Sequence, residues 1–550
     1  MYSKTQTILV IAFLVVFALF LYLPYINVKE FEGEEGRRVL IALQMLENKK
    51  FLIPQFLGKP YFTKPPLFNW ILAFFFYLTK NFSEFMARAV SSLMALGASI
   101  FITYIWKKTL ETSKIKTSFW LLLIPALIFL TTPEVIDKAI RAEIDMTYTF
   151  IITLALFLWF YFSEIKNKKT LAFITSGFFL GLGILTKTFQ ALTFFYLAII
   201  PYLFIKKRYK ELFSLSHFLG ISTYCFVFLV WAIPVNFKVG LIPFIKAWLA
   251  EYHTAASTVE VSLMQHLKSF TLSALLGYSP WIFFLILYKN KDFRKKFLNT
   301  HPVLKDLALF SICLFAFSYL FYLIFPGSRL RYILPSVGGF VFLVAISNLY
   351  FFVYPSKFWQ VSFWKYLSYF LAGILLISSL AFFIYIKFHF HQLSLFLYFN
   401  LLLLILLCFY FLIRTKNKKS FNFVFLFFVL IVFFVKQIYV SFYYPYHKQR
   451  FNYYRKAAAK IAQILEKDIY KNKVLYLCHS IPHHLIYYLK YKIKAINDVK
   501  ILANCQKLPV NQWVLIPQKY LSDFYLNSKD YQTNYLKIRK KDYFLVKQIK

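Results

Sequence analysis

The chain has 550 residues, of which 60% are hydrophobic, 22% aromatic and only 16% charged. No soluble domain hides that much apolar surface, and the apolar residues come in blocks of about 17–25, the length that crosses a bilayer core. The net charge of +41 does not describe a nucleic-acid surface. Its Lys and Arg residues form short clusters between apolar blocks, as cytoplasmic loops do under the positive-inside rule.

Thirteen spans are expected, at about 8–26, 86–106, 118–132, 146–163, 171–186, 189–205, 214–236, 271–288, 307–325, 332–352, 366–387, 391–413 and 422–440. The block from Thr7 to Ile26 has Lys4 ahead of it and no small-residue cleavage site behind it, so it reads as an uncleaved first span. With the N-terminus inside, the segments after even-numbered spans are basic: Lys107-Lys108 with Lys114 and Lys116, then 166–169, 206–210, 289–296 and 414–419. The loop near Lys357 and Lys365 is a weaker case of the same pattern. The outside segments are then a long first loop, 27–85, shorter ones near 132–145, 238–270 and 326–331, and the tail. Residues 1–440 form the membrane domain with the first loop inside it, and 441–550 a separate tail domain.

The tail is less apolar. Tyr454 to Glu466 reads as an amphipathic helix, and Val474–Leu477, Val499–Ala503, Trp513–Pro517 and Tyr543–Val546 as short strands, a small α/β domain of a size that folds alone. Cys225, Cys313 and Cys408 lie in apolar blocks and read as small hydrophobes. Cys478 and Cys505 lack metal-ligand spacing; whether they pair is open and depends on the tail's facing an oxidising compartment.

The first loop is the unusual part. The chain has 23 acidic residues, yet Glu30, Glu32, Glu34 and Glu35 fall within six positions directly after a span. Arg37 and Arg38 follow, and then Val39, Leu40, Ala42, Leu43 and Leu46 mark an amphipathic helix suited to the membrane interface. A carboxylate there could act as general base toward an acceptor hydroxyl or amine; the alternative is a solvated charge cluster. Further on, Gly58-Lys59-Pro60-Tyr61-Phe62-Thr63-Lys64-Pro65-Pro66-Leu67 sets Lys64 before two prolines that keep the backbone stiff. A cation so placed suits a lipid-linked phosphate, or snorkels to head groups.

The run Glu34-Glu35-Gly36-Arg37, Ala42, Met45-Leu46, Pro54, Gly58, Pro60-Tyr61, Lys64-Pro65-Pro66-Leu67 and Trp70 resembles the opening of the ArnT-like glycosyltransferases. These are grouped with the protein O-mannosyltransferases in the GT-C superfamily. Arg88 fits the arginine that starts the family's next span. Weaker echoes follow in order: Arg141-Ala142-Glu143-Ile144-Asp145, Leu185-Thr186-Lys187, Trp231 to Pro234, Pro280-Trp281, and Ser328 with Arg331 to Pro335. Thr188 stands where the family's Leu-Thr-Lys-Gly has glycine, Glu34 where it usually has aspartate, and Thr63 where the ArnT enzymes carry a glutamate associated with metal. The last departure leaves a divalent metal open, with His266 as a candidate matching histidine and no other cofactor implied.

The resemblance implies an α-helical GT-C membrane fold of about thirteen spans with a small outside α/β domain. It implies inverting transfer of a sugar from a polyprenyl-phosphate donor to a lipid A, glycolipid or protein acceptor at the outer face of an inner membrane. Glu34 and Asp145 would be the catalytic carboxylates, and Lys64, Arg37, Tyr61, Lys187 and Arg331 would hold the donor phosphate. Glu35 and Arg141 are further candidates. Asp145 with Arg141 and Glu143 also admits a plainer role as a helix-end charge cluster. The expectation with most at stake is that Glu34 and Lys64 converge on one external pocket. A transporter or lipid flippase is the main rival, although no internal repeat is visible; a membrane scaffold whose tail binds a partner is the second.

Overall fold

The structure is a computed structural model describing residues 4–257, 262–360, 362–390, 394–417, 421–447, 452–468, 474–478, 482–502, 505, 508–523 and 530–549. Two compact units emerge. The membrane unit comprises residues 1–24, 63–65 and 91–443, and the loop-and-tail unit comprises 25–62, 66–90 and 444–550.

In the membrane unit, ten helices among the described residues are long and apolar enough to cross a bilayer. All thirteen expected spans have a helical counterpart, but three are not single long helices. Phe119–Leu130 and Pro133–Ala139 form one pair bent by 68°, Leu263–Gly277 and Trp281–Lys289 another bent by 103°, and Gln190–Ile205 is short. Pro133 and Pro280 stand at the two breaks; each removes a backbone donor and disfavours helix in the residue before it. Hydropathy sums over a bend and cannot register it.

The core of this unit is aromatic. Trp159 stacks on Phe310 at 5.8 Å, and Phe411 on Phe427 at 3.9 Å. Small residues bring helices together: a Cβ on Gly177 would stand 2.1 Å from the Gly220 carbonyl oxygen, so Lys169–Lys187 and Leu215–Val239 pack backbone to backbone.

The loop-and-tail unit begins with the interfacial helix Glu35–Asn48, which ends where Lys49 turns left-handed. A small antiparallel hairpin follows, β1 (Gln55–Phe56) and β2 (Lys59–Pro60), with Leu57 and Gly58 at φ +52° and +78° in its turn. Leu67–Thr79 is the next helix. Ile41, Met45 and Tyr61 form a small apolar cluster here, packed by Phe56 and Trp70.

The tail contributes helices Tyr453–Glu466 and His483–Tyr487 and five strands: β3 (Val474–Leu477), β4 (Asp498–Ile501), β5 (Trp513–Pro517), β6 (Tyr531–Ile538) and β7 (Lys541–Gln548). Their order is β4-β3-β5-β7-β6, parallel for β4-β3-β5 and antiparallel through β7 and β6. The four expected strands are all present, though Ala503, at the end of one, lies outside the described residues, as do Lys418 and Lys419 of the last basic loop. Strand β6 was not foreseen, since its sequence is largely polar and only its pairing with β7 makes it a strand. Cys478 and Cys505 are disulfide-bonded.

The expected boundary at 440/441, with loop 27–85 inside the membrane domain, needs correcting: most of that loop clusters with the tail. Buried charge explains this. The Glu30 carboxylate accepts the backbone N–H groups of Tyr453, Tyr454 and Arg455, at 3.1, 2.8 and 3.2 Å. That anion caps the N-terminus of a helix more than 400 positions away.

Candidate functional site

The four clustered glutamates of the first loop take different roles. Glu30 caps the tail helix, and Glu32 pairs with Lys29 and, at 3.6 Å, with Arg539. Glu35 is 2% exposed, and Arg88 donates to its carboxylate through Nε at 2.7 Å and Nη2 at 2.8 Å. Arg88 also donates to the carbonyls of Ile26, Lys29 and Glu30, so the pair ties the loop to the helix that follows it. Glu34 is the accessible member. It stands at the start of helix Glu35–Asn48 with a side chain 38% exposed. Its Oε2 accepts from Arg37 Nη1 and Arg38 Nη2, both at 3.1 Å.

Around Glu34, the Arg37 guanidinium lies over the Phe56 ring at 5.8 Å and that of Arg38 over the Tyr61 ring at 5.6 Å. A pair of tail histidines packs on the turn before the helix. His483 Nε2 is 3.2 Å from the Gly33 carbonyl, the two rings lie 4.0 Å apart, and His484 stacks on Tyr454 at 4.9 Å. A Cβ on Gly36 would stand 2.8 Å from the His484 ring, so only glycine allows this approach. Burial first, and Arg37 second, lower the His483 pKa to about 4; burial, then His483 itself, lower that of His484 to about 2. Neither histidine stood out in the sequence.

The other candidates gather in the membrane unit. Asp145 opens helix Ile144–Phe160 and Lys187 closes Lys169–Lys187; both are buried, with Nζ 2.5 Å from Oδ1. Arg331, in a short turn at Leu330–Tyr332, places Nη1 4.0 Å from Asp145 Oδ2 and 3.6 Å from Glu143 Oε2. Lys187 Nζ also lies 5.5 Å from the Tyr148 ring and 5.4 Å from that of Tyr332. Two carboxylates and two cations thus meet at the ends of elements spread over nearly 190 positions. Asp137 takes Arg141 at 2.9 Å and Lys138 at 2.7 Å, so Arg141 belongs to a neighbouring ion-pair group.

Thr188 ends its helix at φ +71°, ψ −156°, a backbone region that glycine occupies freely and threonine does not. Lys64 belongs to the membrane unit and Glu34 to the loop-and-tail unit, each described within its own.

His266 joins neither group: it is 4% exposed, with Nε2 3.4 Å from the Tyr322 carbonyl and its ring against Phe270. Among the described residues no three His, Cys, Asp or Glu side chains gather as a metal would require.

Known proteins match this chain in both sequence and fold. Residues 63–235 match the family "Dolichyl-phosphate-mannose-protein mannosyltransferase". The undecaprenyl phosphate-alpha-4-amino-4-deoxy-L-arabinose arabinosyl transferase 1 of Pseudomonas fluorescens is 28% identical over 225 residues, 40% of each chain. The corresponding transferase of Erwinia tasmaniensis is 24% identical over 340 residues, 60% of this chain and 58% of that one. The matched segment thus spans about two fifths of the first relative's length. The crystal structure of ArnT from Cupriavidus metallidurans in the apo state superposes with a TM-score of 0.70 at 15% identity, covering 97% of both chains. The structure of that protein bound to undecaprenyl phosphate gives 0.69, covering 99% and 98%. The fold is therefore shared end to end with ArnT, in a multi-span membrane protein. In sequence it is similar over part of its length to the arabinosyl transferases named above, in keeping with the resemblance of its first loop.

Proposed function

We propose that this chain transfers a sugar from a polyprenyl-phosphate donor to a lipid or protein acceptor at the outer face of the inner membrane. The observation that carries this reading is the agreement between relatives named as undecaprenyl phosphate-sugar transferases and an end-to-end fold match to a protein solved with undecaprenyl phosphate. Nothing among those relatives supports the rival transporter. The Cys478–Cys505 bond supports a tail outside the cytoplasm; the thirteen crossings expected from the sequence would then leave the N-terminus inside.

Glu34 takes or orients the acceptor's proton while the acceptor oxygen or nitrogen attacks the sugar's anomeric carbon. The bond from that carbon to the phosphate oxygen breaks, and polyprenyl phosphate leaves with the electron pair. Lys64, Arg37, Tyr61, Lys187 and Arg331 are the donors proposed to stabilise the leaving phosphate. Asp145, oriented by Lys187 and Arg331, would bind the sugar.

Purified protein given a polyprenyl-phosphate sugar and an acceptor tests the reading. Glu34→Gln and Lys64→Ala should each slow transfer at least about a hundredfold, the scale for losing a positioned base or charge partner. Near-normal turnover in both variants would refute the assignment. Movement of lipid across vesicles without any transfer would replace it with the transporter.

A further inference from the structure

The two bent spans of the membrane unit meet at their breaks. The Trp281 indole N–H, one residue past Pro280, donates at 3.1 Å to Thr131 Oγ1, two residues before Pro133. A Cβ on Gly277 would clash with Leu330 and stand 3.6 Å from both Cβ and Oε2 of Glu134, so the bare glycine lets three element ends close together. Irregular backbone at membrane depth persists only where protein surrounds it or it lines a cavity.

Glu134 is the exceptional carboxylate of this junction. Every other described acidic side chain of the membrane unit has a Lys or Arg nitrogen within 3.6 Å. Glu134 is half-buried and, among the described residues, has neither an ion pair nor a hydrogen bond. Lys138, one turn on, is bound to Asp137, and so is Arg141. Asp145 is an electrostatic neighbour, which sets Glu134 beside the group of Asp145, Glu143, Lys187 and Arg331. The Tyr278 hydroxyl is a neighbour too; it is wholly buried and has no hydrogen-bond partner among the described residues. A carboxylate and a phenol left open in a largely dry corner are costly until hydrogen-bonding groups reach them.

We propose that Glu134, with the Tyr278 hydroxyl, hydrogen-bonds the hydroxyl groups of the transferred sugar. An ionised carboxylate only accepts, and a sugar ring is an array of O–H donors. A lipid-linked phosphate also only accepts, so it has nothing to offer Glu134. The residue therefore favours sugar-loaded lipid over the bare polyprenyl phosphate left after transfer. This inference rests on the transferase reading for its ligand. Glu134 also stands in the first turn of helix Pro133–Ala139, where an acid suits the helix dipole; that role alone would not tell the two lipids apart.

Full-length protein in detergent is titrated with undecaprenyl phosphate, bare and carrying mannose or 4-amino-4-deoxy-L-arabinose, the sugars for which its matched family and relatives are named. Ligand-dependent thermal shift reads the affinities. Wild type should bind at least one sugar-loaded lipid about tenfold or more tighter than the bare one, the scale of a hydrogen bond to a charged group. Glu134→Ala should erase that preference, Glu134→Gln should keep part of it, and Tyr278→Phe should lower it a few-fold. Affinity for the bare lipid should hold or rise in all three. An unchanged ratio of affinities in both Glu134 variants overturns the proposal, and a lowered melting temperature beside it assigns the residue to the helix dipole. A wild type that prefers neither sugar-loaded lipid overturns it as well. Transfer assays separate the two readings. Normal wild-type transfer with an unchanged ratio in the variants removes the sugar subsite alone. A preference erased by Glu134→Ala, in a protein whose wild type transfers nothing, removes the transferase and leaves the subsite standing.

Discussion

In the membrane unit, the ionic group at the element ends pairs charge with charge: Asp145 with Lys187, and Glu143 and Asp145 with Arg331. In the loop-and-tail unit buried charge also draws on backbone, beside ion pairs such as Glu84 with Arg455 and Asp468 with Lys547. Glu30 takes three N–H groups, and Arg88 adds three carbonyls to its carboxylate. The difference follows from what each environment offers. Helical spans satisfy their own backbone, so a buried charge among them needs another side chain. A loop has backbone groups to spare, and charges that bind them become part of the fold. The membrane unit keeps this ionic group at element ends, while in the loop Glu30 and Arg88 are held by backbone groups.

The sharpest way to break this contrast is Glu35→Gln. It should leave the Arg88 guanidinium without its carboxylate and destabilise the folded protein by about 3–5 kcal/mol, the cost of removing one partner of a buried ion pair. Urea or thermal unfolding in detergent reads it. An effect below about 1 kcal/mol would mean the pair is not structural.

The histidine pair gives a smaller, pH-dependent effect. Both rings are held neutral in the fold, with pKa lowered from the ordinary 6.5 to about 4 and about 2. Their contribution is complete above pH 6.5, and it falls as pH drops from 6.5 toward 4, because the unfolded chain binds the protons more readily. Each ring should lose on the order of 3 kcal/mol of that by pH 4. His484→Phe should flatten the acid side of the melting-temperature profile, and a profile identical to wild type would remove these rings from the account.

The smallest effect is expected at Thr188→Gly. Relieving its left-handed backbone should stabilise the membrane unit by about 1 kcal/mol, the low end of the cost of such strain. A fall in melting temperature would show that the threonine side chain outweighs the backbone.

Much of the fold was legible in the chain. Apolar blocks of bilayer length, basic clusters between them and an amphipathic tail helix need only local composition. The bends at Pro133 and Pro280 escaped because hydropathy carries no direction. Of the site, Glu34 and Lys64 stood out in the first loop, while Asp145, Lys187 and Arg331 came from the family resemblance, and the structure brings those three together. It also sorts the four glutamates, which spacing alone could not do.

The sequence by itself determined that the chain enters a membrane, where it crosses, and which loop concentrates acid and base. These properties depend on residues near one another in the chain, where burial and charge add locally. Only the tertiary structure decided which glutamate stays accessible and that the first loop belongs with the tail. It alone left Glu134 with no cation of its own among the described residues. Each of those outcomes depends on a partner up to several hundred positions distant, and the free energy of a buried charge is set by the group that faces it.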